Sequence, residues 1–455
     1  MAGFSGIKRG KRLIIKRKRV IFLMIIKIGK NKSAALYYLF SSAFVKGVLF
    51  IITPLLSRAL QREEFGLYAL YTGYLSIFSV LFSLEMSGFG IYRELSLRKN
   101  RGDFLFSLFI LQLCLSLALL FVYLLFKGVI DSYTGLSTKV TFALILQIFL
   151  NSAEGLYLAK CRYELKYRRC AAVSIFTGVF GAVLGLFLIL FGGLSYEGRV
   201  LGDVIVSLIA VLPISISLLS GAKFDKSVLK YALFTLLPLL PHYLSKSVSA
   251  QSGKIVISRL IGEGALGAYG AALSLSLSLG VLTLALSNAV YPYINRNFTE
   301  ESFTRVGGIL KKTLLLLLPI TVLFLLFAPS LFKILYPFEY YVGISALYPL
   351  ILSQPISFIS GVYNQLIFRV RGVTAVSRIS IFGAFLSVFL GYILAPRLGI
   401  FGVGLSVLIT ESVLSLLKAA FFMKRGGFLA LAAPFCLLIS FCFFVPYGLY
   451  FSNIF

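Results

Sequence analysis

From residue 34 onward, long apolar stretches alternate with short connections rich in Lys, Arg, Gly and Ser. The stretches run to about eighteen residues or more and lack the two-residue alternation of a barrel strand, so they read as membrane-spanning helices. A helix satisfies its own backbone hydrogen bonds, which the hydrocarbon core demands. The first half predicts spans at 34–57, 65–88, 104–126, 140–159, 171–191 and 200–219. The second half predicts 231–256, 267–291, 309–328, 342–367, 379–395 and 400–422, followed by a thirteenth at 428–452. No connection between them exceeds roughly twenty residues, which leaves no room for a soluble catalytic or nucleotide-binding domain.

Composition agrees with that reading. Of 455 residues 59% are hydrophobic and 13% charged, where a soluble domain carries about a quarter charged; mean hydropathy is +0.95. The net charge of +28 suggests a nucleic-acid partner until the charges are placed: they lie in short connections, not on a soluble face, and no nucleic-acid partner is expected. Cys114, Cys161, Cys170, Cys436 and Cys442 show no metal-ligand spacing and His242 is the single histidine. Neither a zinc site nor a disulfide framework is indicated, and no cofactor motif is present.

Lysine and arginine fix the orientation. Connections on the N-terminal side of the membrane, counted with the charges at adjoining span ends such as Lys311, Lys312 and Lys418, hold thirty-three of them against nine on the other side, an alternation that never breaks. The positive-inside rule then places the N-terminus in the cytoplasm, and thirteen spans put the C-terminus outside. The basic stretch 1–33 contains a short apolar run, 20–28, too short to cross. It resembles a signal peptide, but export of the new N-terminus would contradict the charge alternation. A topogenic cluster, or a segment gripping anionic membrane lipids, fits better.

The chain also repeats itself. Ser57-Arg58 followed by Gly66 and Tyr68 recurs as Ser258-Arg259 followed by Gly267 and Tyr269; Gly155 and Tyr157 recur as Gly361 and Tyr363. Gly185, Gly193 and Gly198 recur as Gly391, Gly399 and Gly404. Collinear matches pair spans one to six with seven to twelve, and an even number of spans per unit makes the repeats parallel. The predicted fold is thus an all-α integral membrane protein, two parallel-repeat six-helix bundles around a central cleft. Its divisions are 1–33 (basic segment), 34–222 (first lobe), 229–423 (second lobe) and 428–452 (accessory helix).

Polar residues inside spans are the candidates for function, because each costs free energy to insert. Lys46 lies near the middle of the first span, roughly 17 Å from either end. Lys246 sits mid-span in the repeat-equivalent helix, with Lys254 about two turns further along and His242 one turn back. Either these lysines form a cationic, substrate-binding cleft for an anion, or they pair with carboxylates such as Glu154 and Glu411. Gln147, Asn151 and Glu154 share one helical face, as do Gln354, Ser357, Gly361 and Gln365 on the equivalent span. Such stripes line a cleft or join helices by hydrogen bonds. Glu154 and Glu411 are the candidates for coupling to an ion. Glu85 and Asp203, near span ends, read as interfacial.

Span one ends in Pro54-Leu55-Leu56-Ser57-Arg58-Ala59-Leu60, followed by Glu64-Phe65-Gly66-Leu67-Tyr68, and glycines stand at 399, 402 and 404. These segments resemble the Wzx-type polysaccharide flippases of the MOP transporter superfamily, over spans one to twelve. The resemblance implies a MATE-like pair of bundles and alternating access. It further implies transfer of an undecaprenyl-diphosphate-linked oligosaccharide to the outer leaflet, with the polysaccharide polymerase and chain-length machinery as partners. Lys46 and Lys246 fit a cationic cavity of the kind that family uses for the diphosphate. An odd span count departs from the family's usual pattern. The related alternatives are a lipid II flippase and a MATE-type multidrug exporter, the latter expected to want buried acids. A membrane-embedded polymerase or glycosyltransferase lacks its catalytic loop here, so the chain reads as no enzyme.

Overall fold

A computed structural model describes residues 30–219, 221–296, 302–370 and 373–422; the basic N-terminal stretch and the thirteenth span fall almost wholly outside these. Among the described residues there is no strand. The first half comprises α1 (Lys30–Ala59), α2 (Arg62–Ser83), α3 (Phe89–Leu97), α4 (Arg101–Leu125), α5 (Lys127–Thr134), α6 (Thr138–Tyr163), α7 (Tyr167–Ile175), α8 (Gly181–Leu190) and α9 (Tyr196–Leu219). The second comprises α10 (Ser227–Tyr231), α11 (Leu237–Leu260), α12 (Glu263–Arg296), α13 (Ser302–Leu335), α14 (Ile344–Val370) and α15 (Val373–Ala420). Single π-turns, Phe176–Phe180 and Ala232–Leu236, join α7 to α8 and α10 to α11, and a 3₁₀ turn, Phe338–Gly343, leads into α14.

Among the described residues ten helical stretches are long and apolar enough to cross a membrane. The last, Thr374–Ala420, holds two predicted spans: Gly399 breaks it with φ of 58°, a left-handed conformation that glycine adopts without a Cβ penalty. The stretch of α11 carrying Lys246 and Lys254 is not among the ten, because those lysines and a serine-rich face make it the most polar of the long helices. Helix ends follow local chemistry. Glu64 accepts a hydrogen bond from the Gln61 N–H at 3.2 Å at the start of α2, and Ser137 accepts from the Val140 N–H at the start of α6; both satisfy orphan amides. Between α2 and α3, Leu84 and Glu85 take positive φ, which turns the chain without a glycine.

The larger buried cluster draws on both halves, from Ile52, Leu56 and Phe65 to Leu266, Leu314, Ile359 and Val403. A second, around Met86, Phe104, Leu108 and Leu156, belongs mainly to the first half. Helix α14 is enclosed over most of its length. Phe121, Leu124, Leu315 and Phe385 instead point outward, as helices solvated by lipid tails require.

Two charges expected in connections are in fact internal. Arg199 is 4% exposed and forms an ion pair with Asp203 one turn on, beneath the Tyr68 ring. Lys418, counted as a flanking charge, is also 4% exposed.

Candidate functional site

Helix α1 of the first half faces α12 and α14 of the second across a cavity of about 640 Å³. Lys46, Gly47 and Thr53 line it from α1; Ser278, Thr283, Ser287 and Tyr291 from α12; Gln354 and Ser357 from α14. Among the described residues Lys46 is the one charged residue in that lining and no carboxylate joins it. Among the described residues it has no ion-pair partner within 4.0 Å. The hydroxyls of Thr53, Ser278, Thr283 and Ser287 donate to carbonyls one turn back in their own helices. With those hydroxyl protons engaged, the charged donor that the lining offers a ligand is the Lys46 ammonium. The chemistry on offer is one cation among hydroxyls and an amide, suited to an anionic group carrying further hydroxyls.

A second polar centre borders it on α15. The Glu411 carboxylate lies beside the Ser357 hydroxyl, which itself lines the cavity. Two turns further along the same face, Lys418 donates to Ser360 Oγ at 2.6 Å. Both Lys418 and Lys246 lie within electrostatic reach of Glu411. Lys246 is exposed and also acts on Glu85, at the break between α2 and α3, so it stands between a carboxylate of each half. Beside it, His242 shares a hydrogen bond with Ser380 at 3.1 Å.

The remaining predicted residues divide. Gln354 lines the cavity. Gln147 is 4% exposed and donates to Asn151 Oδ1 at 2.7 Å and Ser207 Oγ at 3.1 Å, tying α6 to α9; of the two roles open to that stripe, it takes helix joining. Glu154 accepts from Thr177 at 3.0 Å, at the π-turn between α7 and α8. Gln365 is partly buried on α14, away from the cavity lining. Lys246 likewise stays outside that lining, and Lys254 lies in the seam between α2 and α11, donating to Thr72 at 3.0 Å. Lys418 escapes a sequence reading because a lysine near a helix end looks like an anchor. Its spacing of seven from Glu411 was the available signal.

Contacts between the halves begin at the end of the bundle bearing Arg62 and continue along α2. Arg58 donates to the Ile334 carbonyl at 2.9 Å and Arg62 to that of Glu339 at 3.0 Å. Phe65 meets Tyr340 edge-on at 5.8 Å, and Ser76 meets Ser247 at 3.1 Å. At the opposite end, Arg98 reaches Asp225 and Ser227 in the connection joining the halves. Asp225 is held below the ordinary carboxylate range, first by the Ser227 hydroxyl and also by Arg98.

The model of a family described as "Polysaccharide biosynthesis protein" matches residues 55–344. No curated protein sequence matches the chain. Among solved structures it is similar to an inward-facing multidrug resistance MATE family transporter of the MOP superfamily. That likeness has 17% identity, covers 84% of this chain and 94% of the other, and has a TM-score of 0.69. Lipid II flippase MurJ in an inward closed conformation matches at 15% identity, over 90% and 93%, with a TM-score of 0.69. An outward-facing MATE family transporter matches at 18%, over 88% and 97%, with a TM-score of 0.55. At these identities what is shared is the fold, that of MOP superfamily transporters.

Proposed function

Since this chain belongs to the polysaccharide biosynthesis protein family, we propose that it is a flippase for undecaprenyl-diphosphate-linked oligosaccharide repeat units. It carries them from the cytoplasmic to the outer leaflet of a bacterial cytoplasmic membrane. The observation that carries this reading is Lys46, a cation without an acidic partner in a hydroxyl-lined cavity between the two halves. A diphosphate finds its counter-charge there, and sugar hydroxyls find acceptors. The cavity also gives the head group a polar path, since unpaired charge does not cross hydrocarbon.

The two halves act as lobes that alternate access. With the N-terminus cytoplasmic, as the basic connections favour, the Arg62 end faces outward and the present arrangement is closed on that side. The better superposition on an inward-facing MATE family transporter than on an outward-facing one supports this assignment. Lys246 supplies the second cation. Glu411, beside Ser357 of the cavity lining, is the better placed of the two ion-coupling candidates; Glu154 instead meets Thr177 at the π-turn between α7 and α8. A drug exporter for cations would want an acid in the lining, where this cavity has a lysine. Polymerase and chain-length machinery would take the delivered product.

Deletion of the gene, with assay of surface polysaccharide and of the lipid-linked pool, tests the reading. Complete repeat units stranded on the cytoplasmic leaflet are expected. Unchanged polysaccharide, or units stranded on the outer leaflet, would refute it.

A further inference from the structure

The α2–α11 seam holds two polar groups that its closed form leaves poorly served. The Lys254 ammonium, carried by the second half, donates to Thr72 Oγ1 of the first at 3.0 Å. Thr72 in turn donates to the Ala69 carbonyl at 2.8 Å, so three N–H donors meet one accepting hydroxyl. Among the described residues no carboxylate lies within 4.0 Å of this lysine. One turn back on α11, the Gln251 Oε1 is buried with no hydrogen-bond donor. Both groups pack against Gly73 of α2, whose β-position would lie 3.3 Å from Lys254 Cδ and 3.9 Å from Gln251 Oε1. The two shortfalls thus share one spot on the seam.

Lys254 is half-buried in the seam, and a cation partly withdrawn from water without a counter-ion raises the free energy of the state that withdraws it. Parting α2 from α11 returns Lys254 to water or to an anion, so the closed seam alone bears this cost. Lys254 also lies eight residues beyond Lys246 on the same helix, about 12 Å towards the Arg62 end. An anion leaving Lys246 in that direction meets Lys254 next.

We propose that Lys254 is a charge held in reserve: sequestered against Thr72 it biases the outer seam towards opening, and once the seam opens it receives the anionic head group. The proposal rests on the flippase reading for its cargo and on the seam geometry alone for its bias. On the cargo's path it acts after Lys46 and Lys246.

The test places a reporter in the seam as Ser76→Cys, in right-side-out membrane vesicles. An impermeant maleimide is added outside, and modification of residue 76 is read by peptide mass spectrometry. Lys254→Met removes the enclosed charge and should slow labelling at least tenfold. Thr72→Val removes the accepting hydroxyl and should speed it. External pyrophosphate, which finds Lys254 only in the open form, should speed labelling in the parent and not in Lys254→Met. Equal rates in the three proteins, or faster labelling in Lys254→Met, would overturn the bias. A pyrophosphate effect that is absent from the parent or survives in Lys254→Met would overturn the hand-over. Labelling needs no oligosaccharide, so the expected rates alongside normal surface polysaccharide in the deletion strain would refute the flippase reading and leave the seam mechanics standing.

Discussion

Gly66 and Gly267 occupy equivalent places in a reciprocal contact. A β-carbon on Gly66 would fall on the Glu263 carbonyl, and one on Gly267 would fall on that of Arg62. Both pairs are related by the same sequence offset, so the start of α2 and the start of α12 meet as each other's images. The glycines bring the two backbones together at the Arg62 end, where Arg58 and Arg62 add their hydrogen bonds.

Gly66→Ala or Gly267→Ala should therefore prevent that closure while leaving each helix intact. Alanine suits a helix better than glycine, so the cost is steric, about 1–3 kcal/mol for overpacking. That shifts the ratio of closed to open forms by roughly one to two orders of magnitude, at about 1.4 kcal/mol per tenfold. Thiol labelling at a Ser76→Cys reporter should rise in both variants. Unchanged labelling would show that the glycines do not set the contact.

Lys46→Ala should reduce polysaccharide export at least tenfold with expression intact, because no other charge among the described residues lines the cavity. Lys46→Arg should retain more activity than Lys46→Gln, since a mobile diphosphate demands charge before geometry. Complementation of a deletion strain measures the order. The reverse order would mean that Lys46 serves as a specific hydrogen-bond donor.

Lys418→Met removes a charged hydrogen bond to Ser360, of 2.6 Å, and leaves that serine buried. A loss of about 1.5–3 kcal/mol is expected for a bond to a charged group, partly offset by removing a buried ammonium. Thermal unfolding in detergent should show a lower midpoint. A raised midpoint would mean that desolvation of Lys418 outweighs its bond.

Asp225 joins the two halves through Arg98 at the end opposite Arg62, and its carboxyl is held below the usual range, first by Ser227. A depressed folded-state value stabilises the fold fully above the unfolded carboxylate pKa of about 3.9. That contribution is lost as pH falls through the lower folded value. The midpoint difference between the parent and Asp225→Asn should be largest near neutrality and shrink below about pH 4. A difference constant across that range would show that the charge of Asp225 contributes nothing.

How much of this was legible depends on where each residue sits. Lys46 stands out because a lysine inside an apolar run has no bland place to go. The Gly66 and Gly267 repeat was visible as a pattern, although only the structure shows the two glycines meeting. Arg199 was misleading: it follows a glycine-rich connection and counts as a loop charge, yet the Asp203 carboxylate one turn on holds it inside. Lys418 misled in the same way from the other end of a helix. Gln147, Asn151 and Glu154 share a face, as their spacing requires, but periodicity does not say what that face meets. Here Ser207 and Thr177 take up two of the three. The π-turn beside Thr177 had no sequence signal.

The most direct test of the central claim uses protein reconstituted in liposomes with an undecaprenyl-diphosphate-linked oligosaccharide, reading its leaflet by accessibility to an external glycosidase. The parent protein should move the lipid between leaflets, and Lys46→Ala should not, while still folding. Equal movement by both would contradict a transport path through the Lys46 cavity.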